Sequence, residues 1–106
     1  MMEKLFEIIL HYGEKHQIRK LAEEQYELIE ALYDRYIHEQ DNDFSGEWSN
    51  RAHELDSHVE EEIADNLVLI RQFVAKYGLD MVRIEDIVRK KVFNYRGTNT
   101  TIKPKK

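Results

Sequence analysis

The chain of 106 residues contains no cysteine and only one proline. Without cysteine, neither disulfide bonds nor thiolate metal ligands are available, which is typical of proteins that work inside the cell. Because the proline lies at position 104, the only helix breakers in residues 1–96 are Gly13, Gly46 and Gly78. We therefore predict a single all-α domain with long helices and few turns.

Long apolar runs are also missing, and positive charge is in the minority. The longest unbroken apolar run, Leu67 to Ile70, is far too short to cross a bilayer, and the N-terminus has no signal-peptide pattern. The net charge of -5 argues against binding to nucleic acid polymers. We expect a cytoplasmic protein that binds neither a membrane nor a nucleic acid polymer.

Apolar residues at intervals of three and four predict four amphipathic helices. The first covers residues 2–12 and ends or bends at Gly13, and the second covers about residues 16–39. After a polar loop over residues 40–49, the third helix begins at the capping box that starts with Ser57, or earlier at Ser49, and ends at Gly78. Asp80 caps the fourth helix, which completes a helical domain over residues 1–96. Residues 97–106 are predicted to form a basic, flexible tail.

The third helix carries two stripes that predict burial on two sides. One stripe is wholly apolar and consists of Ile63, Leu67, Ile70 and Val74. The other begins with acids and continues with apolar residues, namely Glu62, Asp65, Leu69 and Phe73. We expect the two acids to point into a shared interior. Because one small bundle cannot cover both stripes, we also expect a homo-oligomer.

Four acids, here called the acid quartet, form two pairs spaced i,i+3: Glu24 with Glu27 and Glu62 with Asp65. Each pair projects two carboxylates from adjacent turns of a helix. Two carboxylates about 5 Å apart repel by roughly 3 kcal/mol at an effective dielectric constant near 20, and burial adds a desolvation cost. A hard divalent cation such as Mg²⁺ or Mn²⁺, which takes oxygen ligands, would remove this repulsion.

Other interpretations of the acid quartet remain open. The acids could lie on a solvated face, or basic residues of the last helix could neutralise them: Arg89, Lys90, Lys91 and Arg96. A di-iron bundle is excluded, because it requires Glu-x-x-His and none of the five histidines has Glu three residues before it.

The two acidic motifs resemble those of a known family. Residues 23–27 match E-E-x-x-E, residues 62–65 match E-x-x-D, and both motifs lie on successive long helices. Over residues 2–96 the chain resembles the MazG-like, all-α nucleoside triphosphate pyrophosphohydrolases. The resemblance implies a four-helix bundle that forms homodimers or homotetramers. It also implies Mg²⁺-dependent cleavage of NTPs or dNTPs between the α- and β-phosphates, which gives a monophosphate and pyrophosphate.

The resemblance also implies roles for individual residues. The acid quartet would bind Mg²⁺, with Mn²⁺ able to substitute, and Glu23 and Glu61 are candidates for orienting the attacking water. Lys90 and Asn94 match a Lys-x-x-x-Asn pattern that binds phosphate in the last helix, although the helical wheel favours Lys91. The remaining candidates for substrate contacts are Arg96 for phosphate, Asn66 for sugar or base, and Trp48 and Phe44, which either stack on the base or pack onto the bundle.

Two alternative functions are compatible with the same residues. Within the superfamily, the substrate could be phosphoribosyl-ATP or another metabolite that carries pyrophosphate. Outside it, the chain could be a non-catalytic helical module whose acidic face binds a basic partner.

Overall fold

The computed structural model describes residues 1–41 and 46–98. In these ranges the chain forms four α-helices and no strand: α1 (Met2–Tyr12), α2 (Glu14–Glu39), α3 (Gly46–Tyr77) and α4 (Met81–Thr98). The predicted all-α class is therefore confirmed. None of these helices is long and apolar enough to span a membrane.

Glycine ends two of the helices, as the sequence predicted. Gly13 separates α1 from α2 with φ of 91°, and Gly78 follows α3 with φ of 63°. Both values lie in the region that side chains disfavour. At the end of α3 the amide of Leu79 donates to the carbonyl of Val74 at 2.9 Å, which closes the helix in the manner of a Schellman motif.

The ends of α3 and α4 only partly follow the predictions. Oδ1 of Asp80 accepts hydrogen bonds from the amides of Val82 and Arg83 at 3.0 and 3.2 Å, so the predicted cap of α4 is confirmed. The predicted start of α3 was wrong, since the helix already begins at Gly46. Its first turns bury Ala52 and Leu55, and this packing outweighs the later capping box. α4 continues to Thr98, two residues into the predicted tail, and residues 99–106 lie outside the described ranges.

α2 and α3 pack antiparallel along most of their length. Near the start of α2, Nε2 of Gln17 donates to Oε1 of Gln72 at 2.8 Å. Near its end, Nε1 of Trp48 donates to the carbonyl of His38 at 3.3 Å. α1 packs mainly against α3 and buries Leu5 and Ile9.

α4 contributes little to this packing. It makes only marginal contact with the other helices, and none of its side chains described up to Tyr95 is buried. The radius of gyration is 18.0 Å, whereas a compact chain of this length has about 13 Å. Within one chain, the closely packed part of the bundle therefore consists of α1, α2 and α3.

Most residues of the apolar stripes of α2 and α3 point away from this packing, whereas Val74, at the end of the α3 stripe, is buried. Here we name the apolar face by its residues: Ile18, Leu32 and Tyr36 on α2, and Ile63, Leu67 and Ile70 on α3. On α3 these residues are 41–42% exposed, and on α2 they are 48–59% exposed. The single chain therefore covers only one side of α3 over most of this stripe, and coverage of the other side stays a prediction for the expected homo-oligomer. The inward positions of α2 are instead held by Gln17, Glu24 and Ala31.

Two leucines of α1 offer a matched test of this packing. Leu5 is 7% exposed and Leu10 is 57% exposed. We expect Leu5→Ala to lower the free energy of unfolding by about 3 kcal/mol, because it removes buried methyl groups and leaves a cavity. Leu10→Ala should cost less than about 1 kcal/mol. Urea denaturation measures both values, and equal losses would contradict the described position of α1.

Candidate metal centre

Three carboxylates of the acid quartet converge between α2 and α3. One oxygen from each of Glu24, Glu62 and Asp65 lies within 4.8 Å of the other two. Glu62 and Asp65 come from adjacent turns of α3, and Glu24 comes from the facing helix. This spacing leaves room for one cation to contact all three side chains.

Two of these carboxylates are buried and incompletely satisfied. Glu24 is 7% exposed and Glu62 is 8% exposed. Oε1 of each has no hydrogen-bond partner among the described residues, whereas Oε2 of Glu24 lies 3.3 Å from Nζ of Lys20. A buried acceptor without a donor is costly, and in a native protein it calls for an explanation such as a bound ion or a proton.

Burial and like charge act together on Glu62. The pKa of its carboxyl is raised, first by desolvation and then by the charges of Glu27, Glu24 and Asp65. Glu27 is exposed and lies outside the converging group of three, so it forms the outer edge of the acid quartet. A divalent cation would reverse this effect, since positive charge favours the ionised carboxylate.

Asn66 locks the two helices in register beside the acids. Its Nδ2 donates to the backbone carbonyls of Glu24 and Glu62 at 3.0 and 2.8 Å. Asn66 is 5% exposed, and its Oδ1 has no hydrogen-bond partner among the described residues. Both amide hydrogens are thus committed to the protein, so the predicted contact to sugar or base would have to use Oδ1.

Two clefts reach the acid quartet from different directions. The first has a volume of about 630 Å³ and contains Glu24 and Asp65 in its wall. The second has a volume of about 610 Å³ and contains Glu27 and Glu62. Each is large enough for part of a small-molecule ligand.

The first cleft combines acids with basic, aromatic and amide side chains. Arg19 and Lys20 supply positive charge next to the acids. Further along, Tyr12 stacks on His16 with ring centroids 5.5 Å apart. Nδ1 of His16 lies 2.7 Å from Oε1 of Gln17, whose Nε2 donates to Gln72, so the polar side chains form a continuous chain. Such a wall offers both charge and hydrogen bonds to a polar, anionic ligand.

The two candidate water-orienting residues occupy different positions. Glu23 lines the first cleft and lies 3.8 Å from Nζ of Lys20. Glu61 is exposed and lines neither cleft. The structure therefore places only Glu23 beside the converging acids.

The substrate-binding candidates of α4 are not brought to the acids within one chain. Nζ of Lys90 pairs with Asp86 at 3.2 Å, and Lys91 and Asn94 are exposed. The side chain of Arg96 lies outside the described part of the chain. Both clefts are lined by other helices, as far as the described residues show.

Among the described residues, the basic residue in contact with the acids is Lys20, which is not among the site residues predicted from the sequence. Its spacing was a usable signal, because Lys20 precedes Glu24 by one helical turn. The basic residues of α4 that were considered as partners for the acids behave differently, since Arg89 and Lys90 both approach Asp86.

Trp48 packs against the end of α2. Its ring stacks on His38 with centroids 4.6 Å apart, and Nε2 of His38 lies 3.0 Å from the carbonyl of Trp48. Of the two roles open from the sequence, packing onto the bundle fits this position. Phe44 lies outside the described ranges.

Comparisons of the chain with models of protein families, with curated proteins and with solved structures find no match. A function therefore has to be argued from the site. Its distinguishing feature is the convergence of three carboxylates, two of them buried with an unpartnered oxygen.

The raised pKa of Glu62 predicts a pH-dependent loss of stability without metal. Above about pH 4.5, the ordinary pKa of a glutamate, the folded state keeps a proton that the unfolded state has lost. Stability should therefore fall as pH rises through this window. Glu62→Gln removes the titration, so it should be more stable than the wild type at pH 7, by a margin that shrinks towards pH 4.

Urea denaturation in EDTA at several pH values measures this margin. Glu60→Gln is the matched control, because Glu60 is an exposed residue on the same helix. If Glu62→Gln exceeded the wild type in stability by the same amount at pH 4 and at pH 7, the result would contradict a raised pKa for Glu62.

Proposed function

We propose that this chain is a Mg²⁺-dependent nucleotide pyrophosphohydrolase of the MazG-like type. It would cleave NTPs or dNTPs between the α- and β-phosphates. The observation that carries the proposal is the convergence of Glu24, Glu62 and Asp65, with two buried oxygens that have no partner in the part of the chain that the structure describes. Folding alone does not favour this crowding, whereas a divalent cation does.

The residues present fit a hard cation. Glu24, Glu62 and Asp65 would hold it, with Glu27 at the edge, and all four offer the oxygen ligands that Mg²⁺ and Mn²⁺ prefer. Bound there, the cation would neutralise phosphate charge and lower the pKa of a bound water. A phosphoryl transfer needs positioning and charge stabilisation more than covalent chemistry, so the lack of a nucleophilic cysteine is no obstacle.

The chain's own side chains supply the remaining functions. Glu23 lies in the wall of the first cleft and can accept a proton from the attacking water. We therefore prefer Glu23 to Glu61 for this role. Val68 and Leu69 form an apolar part of the same wall.

The alternative of a non-catalytic acidic module is less favourable. A surface that binds a basic partner presents its acids to solvent, but Glu24 and Glu62 are more than nine-tenths buried. Phosphoribosyl-ATP or a similar metabolite remains an alternative substrate, because its pyrophosphate group would meet the same acids.

Pyrophosphate release over a panel of NTPs, dNTPs and phosphoribosyl-ATP with Mg²⁺ tests the proposed activity. Glu62→Gln should lower turnover on the order of 100-fold or more, because it removes a charged ligand of the cation. Glu60→Gln should retain it. The melting temperature of the wild type should also rise with Mg²⁺. Wild-type turnover by Glu62→Gln would remove that residue from the site.

We also propose that the chain functions as a homo-oligomer through the apolar face. Around each helix axis, the residues of the apolar face lie roughly 100° from the residues that face the other helix. The direction of this rotation is the same on α2 and α3. Because α2 and α3 are antiparallel, the two halves lie on one side of the pair. Glu27 and Asp65 are rotated in the opposite sense, so a second copy on the apolar face leaves the acids accessible.

Ile63→Lys tests this assembly, because it places a charge in the centre of the apolar face. We expect the wild type to sediment as a dimer or larger assembly at micromolar concentration and the variant to sediment as a monomer with its helical content retained. Leu10→Lys, on the exposed side of α1, should remain assembled. A monomeric wild type would overturn the proposal.

A further inference from the structure

Lys20 is the cation that the fold places next to the acid quartet. Its Nζ lies 3.3 Å from Oε2 of Glu24 and 3.8 Å from Oε1 of Glu23. The side chain is 46% exposed, so its ammonium remains in contact with solvent. Lys20 lines the first cleft together with Asp65, which belongs to the converging acids.

The contact between Lys20 and Glu24 competes with a divalent cation. Oε1 of Glu24 is buried and has no partner among the described residues, whereas Oε2 contacts Lys20, which lines the first cleft. A divalent cation bound to Glu24 would compete with the ammonium of Lys20 for the negative charge of the carboxylate. The cation would also repel the ammonium directly. Binding of the cation therefore weakens the contact between Lys20 and Glu24.

The released ammonium stays at the wall of the cleft. Lysine has a flexible stem of four methylenes and binds phosphate as a compact point charge. Arg19 precedes it and lines the same cleft, so two positive side chains lie next to the acids. Phosphates that approach a cation at Asp65 and Glu24 would pass these side chains.

The sequence contains no glycine-rich loop that could bind phosphates through backbone amides. The lysines of α4 line neither cleft, as far as the described part of the chain shows. We propose that Lys20 is the phosphate-binding residue of the first cleft, and that it exchanges Glu24 for the ligand's polyphosphate when a divalent cation occupies the acids. This inference rests on the proposed function, since it names the residue that would bind the phosphates of its substrate.

A purely structural role for Lys20 has different consequences. If the pair between Lys20 and the buried Glu24 were only structural, its loss would lower the free energy of unfolding and leave the binding of a ligand's phosphates unaffected. The proposed exchange instead requires that replacing Lys20 strengthens binding of the cation and weakens binding of the polyphosphate. Removal of the ammonium relieves competition for the cation, and it also removes a partner of the polyphosphate.

Lys20→Met separates these roles. We expect its dissociation constant for Mn²⁺ alone, measured by electron paramagnetic resonance, to fall by roughly threefold or more. The affinity of the Mn²⁺-loaded protein for tripolyphosphate, measured by calorimetry, should fall by roughly tenfold or more. KM for the nucleotide that the wild type hydrolyses fastest should rise more than kcat falls. Lys20→Arg should restore tripolyphosphate binding.

Lys15→Met is the matched control, because Lys15 is an exposed lysine on the same helix that lines neither cleft. It should leave both affinities unchanged. Circular dichroism and thermal melting show whether each variant is folded, and Lys20→Arg provides a second test if Lys20→Met is not.

The outcomes distinguish the two proposals. A wild type that binds no Mn²⁺ and releases no pyrophosphate overturns the proposed function itself. A wild type that does both, while Lys20→Met keeps its affinity for tripolyphosphate, overturns only the role of Lys20. Weaker binding of both Mn²⁺ and tripolyphosphate by Lys20→Met would also overturn the exchange, because the lysine would then support the site instead of competing for it.

Discussion

Two buried carboxylate oxygens between α2 and α3 constrain the rest of the structure. Oε1 of Glu24 and Oε1 of Glu62 are buried without a hydrogen-bond partner in the described ranges. Ionised carboxylates in this position destabilise the fold, because each is desolvated and repelled by the other acids. Asn66 nevertheless holds both helices in this register through two backbone carbonyls. Packing and hydrogen bonds thus maintain a site that is unfavourable until positive charge enters it.

The same constraint explains the unusual orientation of α2. Gln17 and Glu24 lie on the side of α2 that faces α3. The side chain of Gln17 donates to Gln72, and the backbone carbonyl of Glu24 accepts a hydrogen bond from Asn66. Since polar residues occupy the inner side, the apolar residues of α2 are left outside, and those of α3 lie on the same side of the pair. The apolar face is therefore exposed in the single chain, and the proposed second copy would cover it.

Charge is arranged asymmetrically around the acids. Lys20 contacts Glu24 from the first cleft, and no comparable partner from the described residues reaches Glu62. Uptake of a proton or a cation would therefore relieve more repulsion at Glu62 than at Glu24, because Lys20 already partly neutralises Glu24. In the proposed function, the cation would bind at the interior acids and the anionic groups of the ligand would lie in the cleft.

Local sequence signals determined the four helices and most of their ends, but not the start of α3 at Gly46. Gly13 and Gly78 supply positive φ angles, and the carboxylate of Asp80 caps α4. These features depend on neighbours within a few residues, so they could be predicted from the chain alone. The i,i+3 spacing likewise determined that each acid pair projects from one side of its helix.

Only the tertiary structure decided which side of each helix is buried. On α2 the apolar and acidic stripes are neighbours on the wheel, and periodicity does not say which one meets α3. The burial of Gln17 and Glu24 and the distance of α4 from the clefts both follow from pairing between helices. Such pairing is a property of surfaces far apart in the chain, and for that reason no local pattern contains it.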